Sequence, residues 1–394
     1  MQNWNLRHFR VFLSVVETGS LTQSAIQCNI SQPAVSQLIE KLEAFAGGAL
    51  FQRSPNGLFI TEKGEILAFR LKRALERLDS ALTEISPRLM VTASWPQLRA
   101  LEAVAETKNF TLAARRIGLA QSTIHRSITR IEAEAKEALF QRTSTGILAT
   151  KACSRLANTI RLATAEIDQA IADLAEFDGR EVGVISVGTL PLARSYVLPQ
   201  AIVMFRQKHP NRQLSVVDGL YDDLLHSVRR GELDCMIGAL RFPSPIDDVV
   251  QEELFKDQLV VVAKPTHTLV NKASVSDEDL AAQQWVLPRD GAPARSQFDA
   301  HFEHIGQPKS LIECGSILLM REILMESEFL GCISLRQAQA EIDKGLLAPI
   351  NTGIKWQGRP IGITHRKDWV PTKAQSHFLE MIRQAAAQAN IKAT

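Results

Sequence analysis

The chain repeats itself. Sliding the sequence by 89 positions places Glu17-Thr18 on Glu106-Thr107, Ala25 on Ala114, Gln32 on Gln121 and Glu43 on Glu132. The same ungapped shift places Leu50-Phe51-Gln52-Arg53 on Leu139-Phe140-Gln141-Arg142, Gly57 on Gly146 and Thr61 on Thr150. Apolar positions keep the register: Phe12/Leu101, Leu21/Phe110, Ile30/Leu119, Val35/Ile124, Ile39/Ile128, Leu42/Ile131 and Leu58/Ile147. A constant offset held over this length marks a duplicated structural unit, so whatever the first copy folds into, the second folds into as well.

The first copy is legible locally. Ser20-Leu21-Thr22-Gln23 has the form of a capping box, a hydroxyl at the N-cap and an amide three residues on. Ser31 is a good N-cap for a helix with Pro33 in its first turn. That helix places Val35, Leu38, Ile39 and Leu42 on one face and Gln32, Ser36, Gln37 and Lys41 on the other. Two short helices joined by a tight turn, the second polar outward, form a helix-turn-helix able to enter a major groove. Next, Leu50–Arg53 and Leu58–Thr61 flank Ser54-Pro55-Asn56-Gly57, a hairpin with a turn-forming tip, which is a wing. An isolated stretch of this kind also suits an ordinary helical core; the wing and the repeat argue against that.

Each copy leads into a long helix. Leu71, Leu75, Leu78, Leu82 and Ile85 step by four and three, a heptad seam that needs a partner helix, and Ser86-Pro87 ends the run. After the second copy, Leu156, Ile160, Ala163, Ile167, Ile171 and Leu174 repeat the seam. The two seams can pair with each other within one chain, or between chains. The second recognition helix, Gln121 to Arg130, lacks the proline and carries Arg126 and Arg130 outward. Residues 93–150 hold eight basic and five acidic side chains, against five and four over 4–64. A copy kept only for dimerisation has no use for added basic groups on its groove face, so both copies are expected to read DNA.

From Glu181 the pattern changes to α/β. Strand-like runs at 182–187, 213–217, 234–237, 258–263, 285–287, 311–314, 330–333 and 361–364 alternate with amphipathic segments at 198–209, 221–230, 296–306, 317–326, 335–344 and 372–389. Such alternation predicts open, mostly parallel sheets, with ligands beyond the carboxyl ends of the strands.

The stretch GSLTQSAIQCNISQPAVSQLIEKLE, then LFQR, then Thr61-Glu62-Lys63-Gly64, closely resembles the N-terminal domain of LysR-type transcriptional regulators over residues 4–64. Ala46, where that family usually has Leu, is the departure. The resemblance continues in VGVISVGTLPLARSYVLPQAIVMFRQKHPN and LLHSVRRGELDCMIGALR, similar to the family's effector domain, and several phrases resemble the branch named for regulators of a galactose-binding protein. Together with the repeat it implies a multidomain protein: a winged helix-turn-helix at 1–64, a linker helix at 65–92 and, from the repeat, a second winged helix-turn-helix at 93–150 and a second linker at 151–179. The effector domain, 180–394, would have the type 2 periplasmic-binding-protein architecture, with subdomains 180–263 plus 358–394, and 264–357. The family normally carries one head per chain, and its linker helix pairs two subunits.

Base-edge contacts are expected from Gln32, Pro33, Ala34, Ser36 and Gln37 in the first head and from Gln121, Ser122, Thr123, His125 and Arg126 in the second, with Lys41 and Arg130 as further DNA contacts on the same helices. Arg53 and Arg142 at the wing bases suit phosphates. For the effector, Thr189 and Leu190 lie in a strand-to-helix loop, Tyr221, Arg241 and Arg289 at other strand ends, and Ser316 at a helix start. Caps and surface ion pairs are the plain alternative for each. An arginine-rich cleft favours a small organic acid; a sugar wants planar amides, carboxylates and an aromatic face.

At 394 residues the chain has room for several cores, and no apolar run is long enough for a membrane span. The N-terminus lacks a signal-peptide core, and five scattered cysteines fit a reducing, cytoplasmic setting. A net charge of +2 does not by itself point to nucleic acid. No cofactor is implied: there is no phosphate-cradling glycine loop, metal-spaced histidine cluster or nucleophile elbow, so an enzyme is not expected. A redox sensor acting through a cysteine is the alternative, although Cys235, Cys314 and Cys332 sit in apolar runs that read as core. A solute-binding protein is disfavoured by the two heads. The expected partners are double-stranded DNA, a small-molecule effector and further copies of the chain in a dimer or tetramer.

Overall fold

A computed structural model describes residues 5–391 of the chain except 56, 145, 307 and 309. Asn56 of the expected wing turn, and the outermost positions of the ranges 1–64 and 358–394, therefore lie outside the described residues. The chain divides into two compact units, Met1–Gly183 and Val184–Thr394.

In the first unit, α1 (Leu6–Thr18), α2 (Leu21–Gln27), α3 (Gln32–Ala46) and the hairpin β1 (Phe51–Ser54) and β2 (Gly57–Ile60) lead into α4 (Glu62–Ile85). A short α5 (Pro87–Thr92), not anticipated from the pattern, precedes the second copy. This comprises α6 (Trp95–Thr107), α7 (Phe110–Ile117), α8 (Gln121–Ala135), the hairpin β3 (Phe140–Thr143) and β4 (Gly146–Ala149), and then α9 (Lys151–Phe177).

The duplication extends to individual polar atoms. Glu43 accepts the backbone N–H groups of Leu50 and Phe51 at 2.9 and 3.4 Å; Glu132 accepts those of Leu139 and Phe140 at 2.8 and 3.1 Å. In each copy one carboxylate thus fastens the start of the wing to the back of the second helix of the motif. Helix starts follow their caps: Ser31 accepts from the Ala34 N–H, Thr61 from Gly64 and Thr150 from Cys153. The box expected at Ser20 forms only in part. Its hydroxyl accepts the Gln23 N–H, but its own N–H goes to Thr18 Oγ1 at 3.3 Å rather than to the Gln23 amide. The reciprocal arrangement occurs instead at Ser94 and Gln97.

A single apolar core runs through both copies. At its centre α4 and α9 pack antiparallel against each other, so of the two pairings the sequence leaves open, the one within the chain is formed. The register is fixed by ion pairs in which one number rises as the other falls: Lys63–Asp178, Arg70–Asp173, Arg73–Glu166 and Glu84–Arg155. Leu71, Leu75, Leu78 and Leu82 bury against Leu156, Ile160, Ala163, Ile167 and Leu174 as the seams predict; Ile85 and Ile171 are only half-buried.

The second unit is two five-stranded sheets. Its strands are β5 (Val184–Thr189), β6 (Gln213–Asp218), β7 (Cys235–Ala239), β8 (Val249–Asp257), β9 (Leu259–Ala263), β10 (Gln284–Leu287), β11 (Ser310–Glu313), β12 (Leu330–Ser334), β13 (Ala348–Pro349) and β14 (Arg359–Arg366). Its helices are α10 (Pro191–Ser195), α11 (Val197–Lys208), α12 (Tyr221–Arg229), α13 (Asp277–Ala281), α14 (Pro293–Phe302), α15 (Ile317–Met325), α16 (Leu335–Ile342) and α17 (Lys373–Ile391). The strand orders are β6-β5-β7-β14-β8 and β11-β10-β12-β9-β13. Each sheet is mostly parallel, with a single reversed strand, β14 in one and β9 in the other. β8 was not foreseen because Val249–Asp257 is rich in charge, which suits its place at a sheet edge.

The subdomain division expected at residue 263 moves. β9 pairs with β12 and β13 in the second sheet, so the chain crosses at Asp257–Gln258. The apolar run 259–263 reads as a continuation of the preceding strand, and nothing in its hydropathy marks the change of sheet. The crossing is tied by one buried carboxylate. Asp257 accepts from Ser334 Oγ at 2.8 Å and from the guanidinium of Arg359, where the chain returns to the first sheet. Burial holds this carboxyl above the usual range although Arg359 stands beside it.

Candidate nucleic-acid interface and effector site

Helix α3 turns Val35, Leu38, Ile39 and Leu42 into the core, which leaves Gln32, Pro33, Ala34, Gln37 and Lys41 exposed and Ser36 half-buried. Gln32 donates from Nε2 to Ser36 Oγ at 3.0 Å, one turn along the same face. Helix α8 buries Ile124, Ile128 and Ile131 and exposes Gln121, Ser122, His125, Arg126 and Arg130, with Thr123 half-buried. The His125 ring lies 5.4 Å from that of Phe110, which supports it from the preceding helix. Arg53 and Arg142 are exposed at equivalent positions of β1 and β3, opposite Leu58 and Ile147. On α3 and α8 the expected DNA-reading residues thus lie on the face opposite the core, with Ser36 and Thr123 at its margin.

A residue absent from the sequence expectation also marks the first head. Burial, then the positive charges of Lys41 and Arg7, hold the His8 imidazole below its ordinary value. In the second head Arg115 is exposed on α7, whereas Arg116 pairs with Glu106 at 2.8 Å.

In the second unit the candidate effector residues lie at or just beyond the carboxyl ends of β5, β6, β7, β10 and β11. The structure brings two of them together. The guanidinium of Arg241 stacks 4.3 Å from the centroid of the Tyr221 ring, a cation–π contact. Gln251 holds Arg241 in place from both sides, accepting its N–H at 3.0 Å and donating to its carbonyl at 2.8 Å. Tyr221 Oη and Arg241 Nη1 are buried and make no hydrogen bond within the protein. Burial pushes the Tyr221 hydroxyl up and the Arg241 guanidinium down. A polar or anionic group within reach of both gains two buried donors.

Elsewhere the expectation is only partly met. Thr189 is fully buried and its hydroxyl goes to the neighbouring Leu190 carbonyl at 3.2 Å. Leu190 is itself fastened over β7, its N–H on the Ile237 carbonyl at 3.0 Å and its side chain on Gly238, where an added Cβ would lie 2.5 Å from it. Ser316 is the N-cap of α15, accepting from the Leu319 N–H at 3.3 Å. Arg289 is exposed and packs along Gly315, one residue before that cap.

Four thiols, Cys153, Cys235, Cys314 and Cys332, are buried, and Cys28 is half-buried in the turn of the first helix-turn-helix. Burial pushes Cys153 and Cys332 up to about 12 and Cys235 higher, which suppresses the reactive thiolate.

Among known families, the one described as "LysR substrate binding domain" matches residues 178–387. "Bacterial regulatory helix-turn-helix protein, lysR family" matches twice, at 6–65 and 95–154. The HTH-type transcriptional regulator GalR of Pseudomonas putida is 31% identical over 394 residues, covering 98% of each chain. The uncharacterized regulator YdcI of Escherichia coli is 27% identical over 386 residues, covering 98% of this chain and 96% of that one. ArgP from Mycobacterium tuberculosis shares the fold at a TM-score of 0.58 and 15% identity, over 74% of this chain and 97% of that one. A full-length OxyR variant from Pseudomonas aeruginosa does so at 0.52 and 20%, over 74% and 94%.

Proposed function

This chain belongs to the lysR family of bacterial DNA-binding transcription regulators, and on that premise we propose that both of its heads read DNA. The observation that carries the reading is the polar, exposed outer surface of α8. Its inner face is spent on the core, yet its outer face keeps Gln121, His125, Arg126 and Arg130 exposed, at the positions of Gln32, Ser36, Gln37 and Lys41 in α3. The test is quantitative binding to the DNA upstream of its own gene, comparing the intact protein with Arg126→Ala/Arg130→Ala and with Gln32→Ala/Gln37→Ala. Each pair is expected to weaken binding by about 10- to 100-fold and to shorten the footprint. Loss confined to the first-head pair would make the second copy a spacer.

The effector is a small polar molecule, and the Tyr221–Arg241 pair favours an organic acid over a sugar. Effector binding would favour one of the effector unit's conformations over another. Oligomers form through the effector units: the edge strands β6 and β11 and their neighbours expose Val216, Val217, Leu311, Ile312, Leu318 and Leu319. Light scattering at micromolar concentration checks this, a monomer being the contrary result. The protein acts by binding in the cytoplasm, without catalysis. No helix among the described residues is long and apolar enough to cross a membrane.

A further inference from the structure

The helix pair that joins the heads is not symmetric in charge. Along the contact α4 supplies Arg70, Arg73 and Arg77, while α9 supplies Glu166, Asp173 and Gln169. Arg70 is buried and donates to Gln169 at 2.8 Å, to Asp173 at 2.9 Å and to Glu166 at 3.2 Å. Arg77 and Glu166 occupy the same position of the repeat, 89 residues apart, and they face each other at 3.7 Å. If two α4 helices from different chains paired in this register, Arg77 would meet Arg77; two α9 helices would set Glu166 against Glu166. Like charges at the centre of such a contact are destabilising, and the unlike combination relieves that repulsion, while further out the pattern reverses, Glu84 of α4 meeting Arg155 of α9. The short connection through α5 then keeps that combination within one chain, at high effective concentration.

The heads held by this seam differ where they face DNA. Position by position, Pro33 becomes Ser122, Ala34 becomes Thr123, Ser36 becomes His125, Gln37 becomes Arg126 and Lys41 becomes Arg130. An amide bridges the adenine edge and small apolar groups meet the thymine methyl, whereas arginine is the bidentate partner of guanine. We propose that one chain reads two different half-sites: an A·T-leaning sequence under α3 and a guanine-containing sequence under α8, joined at the spacing fixed by the α4–α9 pair. The inference rests on the reading in which both heads contact DNA.

The test selects binding sequences from a random duplex library with the full chain, and again with a variant whose α8 surface copies α3: Ser122→Pro, Thr123→Ala, His125→Ser, Arg126→Gln and Arg130→Lys. The wild type is expected to select two distinct half-site sequences, and the variant to select one of them twice and to bind the wild-type site about tenfold or more weaker. The reciprocal variant, with Pro33→Ser, Ala34→Thr, Ser36→His, Gln37→Arg and Lys41→Arg, is expected to duplicate the other sequence. It keeps the test decisive if the first variant does not fold. A single half-site sequence from the wild type, altered or weakened by the α8 substitutions, overturns the inference and leaves two reading heads standing. A selected sequence indifferent to every α8 substitution overturns the two-head reading itself.

Discussion

Replacing Glu166 by alanine tests what holds the two heads together. Its carboxylate is buried at the middle of the seam, where it accepts from Arg73 at 2.8 and 3.0 Å and from Arg70 at 3.2 Å, with Arg77 at 3.7 Å. Arg70 keeps Asp173 and Gln169 but loses its third partner while remaining out of water, and Arg73 and Arg77 are left facing it with less negative charge between them. Removing one partner from a buried ion pair costs about 3–5 kcal/mol, because the remaining charge stays desolvated. For a unit of this size each kcal/mol lowers the melting temperature by about 2–4 °C, so the first unit should melt roughly 10 °C or more below the wild type in calorimetry. DNA affinity should fall as well, although Glu166 touches neither recognition helix. The exchange Arg77→Glu with Glu166→Arg leaves the new arginine beside Arg70 and Arg73, so it should recover only part of what Glu166→Arg alone loses. A Glu166→Ala melting point within about 2 °C of the wild type would refute the charge argument, as would an exchange no better than reversal of Glu166 alone.

Three further outcomes follow from other parts of the chain. Asp234 is half-buried just before β7, accepting from the Ser186 N–H and from Gln375 at 2.8 Å each, and desolvation of its carboxyl raises it to about 6 from 3.8. The folded state therefore holds this proton more tightly than the unfolded one. Measured against Asp234→Asn, stability should fall by about 3 kcal/mol as the pH rises from about 4 to above 6, and a flat or rising difference would contradict the assignment. Arg241→Ala should raise the effector concentration needed for half-maximal response by about tenfold or more while leaving DNA affinity in its absence unchanged; an unaltered response removes Arg241 from the site. With four thiols buried, a thiol reagent should modify Cys28 first in the native protein. DNA binding should survive peroxide, and its loss would revive the redox alternative.

Most of the first unit was readable because its signals are short-range. Caps, the apolar face of α3 and the wing residues all act within a few positions, and the repeat states most of them twice, though Ala120 stands where Ser31 caps the first copy. The effector unit was harder. β8 hid behind its charges, and the change of sheet after Asp257 leaves no trace in hydropathy, since Leu259–Ala263 is equally apolar in either sheet. The Tyr221–Arg241 stack depends on where β7 ends relative to the start of α12, a tertiary distance that no local pattern encodes. Thr189 looked available at a strand end, but the close packing of Leu190 on Gly238 turns that end inward.

Heptad spacing says that a helix must pair and is silent on with what; a preference emerges at the centre of the seam when the copies are compared, since the charges oppose each other at equivalent positions 77 and 166. A single head used twice in a symmetric dimer ties every substitution on its recognition helix to both half-sites at once. Two heads in one chain are free of that constraint, provided exchange between chains does not pair like with like. The arginines of α4 and the acids of α9 supply that condition, which is why a charge pattern far from DNA bears on what the two helices can read.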